Sequence, residues 1–405
     1  MKFGLMVEKE TRNIGDDIQS YATKSFLPRI DYYIDRNHMD EFVPDTEEKV
    51  ATIINGWFLQ YTLNWPFSPY VKPLPISMHF TYKDWFWDTT DRAYHLQGYG
   101  LEYLKSIEPI GCRDSHTMKL LQSKGIKTEY TGCMTLTLQP FKNVEKRDYI
   151  CAVDVSDAVI EQIKKTTDME VKIMTHTVPE DYYNLSWEKR MENVELLLKT
   201  YQGAKAVIAY RLHCALPCLA LGTPVILLNE DYRNDRFGDY TKYIESCNEE
   251  EFVSGEKVYD YRNIPTHSDE WKELAKDLTK RCENFISECE KSDEIYENDI
   301  SIEHYKKYVI GKSNWIKSAA IESYNRFEEE KKRNEQISKT IDECQKDIEK
   351  KQHEIEYYKE EFNIAVQKIE KLKIEIEAIK NSKVWKITNK LKSGCKKMRS
   401  NKKII

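Results

Sequence analysis

Residues Ala206–Leu228 read AVIAYRLHCALPCLALGTPVILL, and this stretch decides the fold class. Ala206–Tyr210 is a short, unbroken apolar run of the kind buried on both faces in a parallel sheet. Arg211, Leu212 and His213 stand at its end, a helix-compatible apolar segment runs to Leu221, Gly222 closes it, and Val225–Leu228 reads as the next strand. Strand, helix and strand in that order form the unit of a doubly wound α/β sheet. In such sheets ligands sit at the carboxyl ends of strands, where helix N-termini aim unpaired N–H groups at anions. A permanently charged guanidinium two positions from a titratable imidazole suits an anionic substrate and a proton transfer. The plainer alternative is that Arg211 pairs with an acid at a domain interface and His213 only caps a helix.

The same alternation fills the chain before this unit. Lys2–Val7, Ala51–Asn55, Pro75–Phe80, Pro109–Cys112 and Thr128–Thr131 read as strands. Asn13-Ile14-Gly15-Asp16-Asp17 reads as a turn followed by a helix through about Phe26, with Asp16 or Asp17 capping its start, and further helices are expected over Tyr94–Ser106 and Ser115–Lys124. A polar interval, Gln139–Asp148, reads as a linker. Strands Tyr149–Val155, Glu170–Thr175 and Ala206–Tyr210 then alternate with helices Ala158–Thr166 and Trp187–Tyr201, and a last helix is expected around Asp269–Cys289. The expectation is α/β: two Rossmann-like, doubly wound domains, residues 1–142 and 143–310, with a crevice between them.

The C-terminal segment obeys a different period. Ile337, Ile341, Cys344, Ile348, Ile355, Tyr358, Phe362, Ala365, Ile369, Leu372, Ile376 and Ile379 recur in alternating steps of four and three, with Lys351 as the one break. This seam predicts a coiled coil over residues 326–380, with a second copy of the chain as the default partner. Residues 381–405 form a basic tail: from Lys383 onward there are nine Lys and Arg with no acid among them, against a net charge of −6 for the whole chain. Val384, Trp385, Ile387, Thr388 and Leu391 share one helical face there, a pattern suited to an anionic membrane surface or, equally, to a solvated tail.

Composition narrows the class. The 405-residue chain is mildly acidic, which gives no nucleic-acid signal, and no apolar run approaches the roughly 18 residues that cross a bilayer. The start reads as a strand, not as a secretory leader. Ten scattered cysteines without a C-x-x-C pair fit reduced thiols in a cytoplasmic protein, and the nine scattered histidines propose no metal cluster. Trp57, Trp65, Trp85 and Trp87 mark an aromatic interval that fits a sugar platform or, more commonly, core packing.

Several pieces in order resemble the polysaccharide pyruvyl transferase family: NIGDDIQSYA (13–22), INGW (54–57), SMH (77–79), GCRDSHTMKLLQSKGI (111–126), YTGCMTLTL (130–138) and AYRLHCALPCLALGTPVI (209–226). The resemblance covers about the first 240 residues and leaves out the coil and tail. It implies a GT-B-like pair of Rossmann domains. It also implies transfer of an enolpyruvyl-derived group from phosphoenolpyruvate to two hydroxyls of a sugar in a cell-surface polysaccharide or its lipid-linked precursor, giving a cyclic ketal. By match to the family's motifs, Arg113 and Arg211 would bind the donor, Leu212 and His213 complete the RLH element, and Arg233 or Arg236 supplies a further basic contact. Phosphoenolpyruvate carries a carboxylate and a phosphate on one small skeleton, so planar bidentate cations suit it. His213 is the natural general acid toward the methylene carbon, and Asp16 or Asp17 is placed to take the proton of the sugar hydroxyl. Phosphoenolpyruvate is the donor substrate, and neither cofactor nor metal is required. One departure stands out: Cys214 occupies a position that is commonly Gly in the family, where a side chain would crowd a phosphate-binding turn. Two other readings share the scaffold: a GT-B glycosyltransferase with a nucleotide-sugar donor, and a non-catalytic glycan-assembly protein. The expected setting is the cytoplasm, with peripheral contact at the inner face of a membrane.

Overall fold

A computed structural model of the chain describes residues 1–46, 48–58, 66–80, 96, 98–228, 237–265, 268–291 and 302–400. Residues 1–319 form one compact unit and residues 320–405 a second.

The first unit is built on two parallel sheets. The first holds β1 (Lys2–Val7), β2 (Tyr32–Asp35), β3 (Val50–Phe58), β4 (Val71–Phe80), β5 (Ile110–Cys112) and β6 (Thr128–Tyr130), in the order β2-β1-β3-β4-β5-β6. Helices α1 (Ile14–Lys24), α2 (Gly98–Ser106) and α3 (Ser115–Ser123) link its strands. The second sheet holds β7 (Tyr149–Val153), β8 (Glu170–Met174), β9 (Ala206–Ala209), β10 (Val225–Leu228) and β11 (Glu245–Cys247), in the order β11-β10-β9-β7-β8. Its helices are α4 (Asp157–Thr166), α5 (Trp187–Gly203), α6 (Leu212–Ala220) and α7 (Glu249–Val253). Each sheet therefore starts in its interior, adds one strand on one side and the rest on the other. That reversal opens a switch point between β1 and β3, and another between β7 and β9, where doubly wound folds bind ligands.

The two sheets face each other across their carboxyl ends. The loop after β1 meets the loop after β8: Ile14 N–H donates to the His176 carbonyl at 2.9 Å, Val178 N–H donates to the Arg12 carbonyl at 3.0 Å, and Asn13 bridges Thr177. One hydrophobic core runs between them, joining Ile14, Ile18 and Leu136 to Val194, Leu198 and Leu216. A second cluster lies on the far face of the first sheet around Ile54, Met78 and Phe80, and a third on the far face of the second around Ile150, Ile208 and Ile226. Helix α8 (Trp271–Lys291) buries Leu278, Cys282, Ile286 and Cys289 in the shared core, and its Arg281 pairs with Glu129 of the first sheet. The helix expected near Asp269–Cys289 therefore ties the halves together instead of belonging to the second alone.

Local details depart from expectation where short polar contacts decide them. Helix α1 is capped by Asn13, whose side chain accepts from Gly15 N–H at 3.0 Å, which leaves Asp16 and Asp17 in the first turn. The helix expected from Tyr94 is described from Gly98. Trp65, Trp85, Trp87, Arg233 and Arg236 lie outside the described residues.

Helix α9 (Ile302–Asn381) and α10 (Lys383–Ser400) follow. The part of α9 within the first unit docks on it through Tyr308, whose hydroxyl donates to the Asp40 carbonyl at 3.0 Å, and through Lys312, which pairs with Asp40. In the second unit α9 runs unbroken past Ile337–Ile379, and its seam residues are exposed.

Candidate active site

Arg113 follows β5 directly, and its backbone extends the sheet by donating to the Met78 carbonyl at 2.8 Å. Its own carbonyl accepts from the buried Tyr240 hydroxyl at 2.5 Å. These contacts fix the main chain so that a fully buried guanidinium points out of the sheet end (0% exposed). There Arg113 Nη1 lies 3.4 Å from Nε2 of His213. His213 comes from the other sheet, in the first turn of α6, and is itself buried. Residues one hundred positions apart thus meet between the sheets. Helix α1 closes the site from a third side: a Cβ added to Gly15 would stand 3.2 Å from His213 Cβ and 3.0 Å from Asn13 Oδ1, tight enough that one of them would have to shift by a few tenths of an ångström.

Two nitrogens of Arg113, Nε and Nη2, have no hydrogen-bond partner among the described residues. Asp114 Oδ2 lies 3.8 Å from Nε, beyond hydrogen-bond reach. A buried guanidinium with two unmet N–H groups is costly unless a ligand completes it, and a planar, doubly oxygenated anion is the complement of that fork.

Beside Arg113 stands a pair that reading the sequence did not assign. His79, at the end of β4, has Nδ1 2.5 Å from Asp114 Oδ2 and 3.3 Å from Thr117 Oγ1. Asp114 also caps α3 by accepting from Thr117 N–H at 2.8 Å. Burial pushes this carboxyl up. The hydrogen bond and charge of His79, the charge of Arg113 and the Thr117 N–H outweigh it, and hold Asp114 at about 2. Ser77, two residues before His79, adopts φ 55°, a left-handed conformation that side chains rarely accept. The signal available in the sequence was the SMH element at a strand end.

Arg211 does not join Arg113. It is the N-cap residue of α6, its Nε donates to Asp154 Oδ2 at 2.8 Å, and its side chain is 43% exposed. Asp154 follows β7, so this ion pair spans the switch point of the second sheet. Burial raises the Asp154 carboxyl, but Thr175, the His176 N–H and Arg211 together hold it below the usual range. The plainer reading of Arg211, pairing with an acid, describes its contact in this structure. Leu212 is buried in the shared core.

The two acids of α1 separate. Asp16 keeps partial exposure, accepts from Thr11 Oγ1 at 2.7 Å and faces Arg36 Nη1 at 3.4 Å. With Glu8, Arg36, Asn55 and Gly56 it lines a narrow polar cleft at the first switch point. Burial and the neighbouring Asp16 push Glu8 up to about 8, although Arg36 pairs with it. Asp17 is fully enclosed: Arg190 grips both its oxygens, at 2.9 and 2.6 Å, and Tyr182 donates to it at 2.8 Å. With every oxygen engaged and no exposure it holds the two halves together, which corrects its expected place as a base.

Cys214 is fully buried among Tyr201, Cys151 and Cys218, so its side chain fills the shared core and does not crowd the turn. Cys133 is likewise buried, 3.2 Å from Thr135 Oγ1. Among the described residues no three His, Cys, Asp or Glu side chains group to hold a metal.

A buried arginine with an open fork thus faces a histidine at a helix start between two parallel, doubly wound sheets. The chain belongs to the polysaccharide pyruvyl transferase family, whose model matches residues 13–232. No curated protein matches the chain significantly. Among solved structures it is similar to a functionally uncharacterised protein of Klebsiella pneumoniae subsp. pneumoniae, with 16% identity, 61% of this chain and 92% of that chain covered, and a TM-score of 0.36. It is also similar to the Methanocaldococcus jannaschii UDP-GlcNAc 2-epimerase in complex with UDP-GlcNAc and UDP (11% identity, 69% and 100% covered, TM-score 0.34). A third is the E. coli heptosyltransferase WaaC with ADP (11% identity, 70% and 100% covered, TM-score 0.27).

Proposed function

We propose that the protein transfers a pyruvyl group from phosphoenolpyruvate to a sugar of a surface polysaccharide, or of its lipid-linked precursor, and closes it as a cyclic ketal. The observation that carries this reading is the unmet Nε and Nη2 of the enclosed Arg113, next to His213. The donor's carboxylate or phosphate satisfies that fork, and the first turn of α6 adds N–H groups toward the same anion. Arg211 supplies further positive charge at the cleft mouth. The family membership and the GT-B-like outline of two facing sheets support the reading.

In the reaction His213, as imidazolium, gives its proton to the donor's methylene carbon, and the adjacent carbon becomes an oxocarbenium centre. A sugar hydroxyl adds there and loses its proton to Asp16. The C–O bond to phosphate then breaks, phosphate leaves with the electron pair and takes the proton held by Asp16, and a second hydroxyl adds to the same carbon. Its proton returns to His213. The balance is one ketal and one phosphate per donor and diol. His79 is hydrogen-bonded to Asp114 and so fixes the carboxylate that lies 3.8 Å from Arg113 Nε.

The basic helix α10 belongs to the same proposal. Val384, Ile387 and Leu391 are exposed along one side, with Trp385 beside them and Lys383, Lys386, Lys390 and Lys392 around. Such a helix binds an anionic membrane surface, where a lipid-linked acceptor resides. No helix among the described residues is long and apolar enough to cross a membrane.

The test is phosphate release from phosphoenolpyruvate in the presence of acceptor glycan. His213→Gln is expected to lower turnover by roughly 10²–10⁴-fold, the usual worth of a general acid, and Arg113→Lys to raise the donor KM. Thermal shift with the donor set against nucleotide sugars decides the class. Stabilisation by a nucleotide sugar but not by phosphoenolpyruvate, or full turnover in the His213 variant, would overturn the proposal.

A further inference from the structure

The seam on α9 is an apolar surface that no side chain covers among the described residues of the second unit. Ile337, Ile341, Ile348, Ile355, Ile369, Leu372, Ile376 and Ile379 are between 49% and 56% exposed, and Phe362 and Tyr358 are more so at 68%. Ile337, Ile341, Cys344 and Ile348 line a shallow apolar groove along one turn after another. From Ile337 to Ile379 the helix rises about 63 Å, so this is a continuous stripe and not a patch. Exposed stripes of this kind are interaction surfaces.

Placing Ile341, Ile348, Ile355, Phe362, Ile369 and Ile376 at the a positions puts Ile337, Cys344, Lys351, Tyr358, Ala365, Leu372 and Ile379 at d. β-branched residues at a with few at d favour two strands over three. The flanks then choose the direction. Positions g carry Asp347, Glu354, Glu361, Lys368 and Glu375, whereas positions e carry Lys359, Lys373 and Lys380 among neutral residues. An antiparallel pair sets g against g and e against e, which places acid opposite acid and lysine opposite lysine. A parallel, in-register pair sets g against the following e: Glu354 meets the partner's Lys359 and Glu375 meets the partner's Lys380, with Lys368 against the partner's Lys373 as the repulsive exception.

We infer that α9 pairs with a second copy of this chain as a parallel, in-register, two-stranded coiled coil. Cys344 is an exposed free thiol at a d position, and in this register it faces its own counterpart. Lys351, also at d, weakens the seam locally and penalises other registers, since a buried lysine tolerates few arrangements.

The experiment uses the full chain with Cys395→Ser, so that any cross-link is read against Cys344, the exposed free thiol among the described residues. Sedimentation equilibrium is expected to give twice the chain mass, and mild oxidation to give a covalent dimer that Cys344→Ser abolishes while the mass stays doubled. Ile355→Asp with Ile369→Asp is expected to return the single-chain mass without changing phosphate release on a soluble acceptor. Lys351→Leu is expected to raise the melting midpoint of the helical signal. A single-chain mass, a trimer mass, or a dimer that Cys344 does not cross-link overturns the inference: the first denies pairing, the second the strand number, and the third the parallel register.

Discussion

Asp114 holds three neighbours at once: the His79 ring, the Thr117 N–H and, at longer range, Arg113. Its carboxyl sits at about 2, against an ordinary 3.8. A depressed folded-state value means that the unfolded chain binds the proton more readily. The stabilisation is therefore complete above about pH 4 and is lost as pH falls toward 2, an amount on the order of 2 kcal/mol. Asp114→Asn is expected to remove that part of the acid dependence and to lower stability at neutral pH, read from urea unfolding at a series of pH values between 2 and 7. An unchanged acid limb in the variant would show that folding does not lower the pKa of this carboxyl. Asp114 also marks the limit of reading residues in order. Arg113 and His213 were legible because each stands where an apolar run ends. The bond from Asp114 to His79 joins two strand ends 35 positions apart, and no local pattern encodes it. Nor does any pattern show that Arg211 would be taken up by Asp154 while Arg113 stays open.

At the scale of elements, α1 and α5 are joined by one buried ion pair. Arg190 is 1% exposed, grips Asp17 with two bonds, donates to the carbonyls of Glu8 and Lys9 at 2.8 and 3.1 Å, and lies over the Trp187 ring at 4.1 Å. Burial is the largest influence on Asp17 and raises its carboxyl, more than Arg190 and Tyr182 lower it. The pair is therefore poorly repaid for its desolvation, and removing one partner strands a buried charge. Asp17→Leu is expected to cost about 3–5 kcal/mol. Asp17→Leu with Arg190→Met is expected to cost clearly less than the two single changes added together, measured by chemical unfolding as a double-mutant cycle. Additive costs would mean that Arg190 acts through the Glu8 and Lys9 carbonyls and not through Asp17. The principal strands and helices around this tie were legible, since long apolar runs and Gly stops report burial directly. Short edge elements were not. β2 spans four residues and ends in Asp35, and β11 spans three, so neither is long enough to show a period. The sequence does not single out the Asn13 cap from Asp16 and Asp17, because all three residues cap well, and only the backbone turn at Asn13 selects among them.

Across the whole molecule charge is segregated. The nine basic residues from Lys383 onward stand against a net −6 for the chain, so the preceding 382 residues carry about −15. An acidic body is repelled by anionic lipid, so any attraction must come from the tail, where each Lys or Arg near the surface contributes about 1 kcal/mol. Charge alone would be screened at high salt, where the Debye length shrinks to roughly 3 Å at 1 M. Trp385, Ile387 and Leu391 add an apolar contribution that salt does not remove. The full chain is therefore expected to co-sediment with vesicles containing phosphatidylserine and not with neutral ones, and deletion of residues 383–405 to abolish it without altering phosphate release on a soluble acceptor. Trp385→Ala with Leu391→Ala should leave binding at low salt but remove the fraction that survives high salt. Equal sedimentation of the full and truncated chains would remove the tail from the proposal while leaving the part argued from Arg113 and His213 untouched, because those two residues belong to the first unit and the tail to the second.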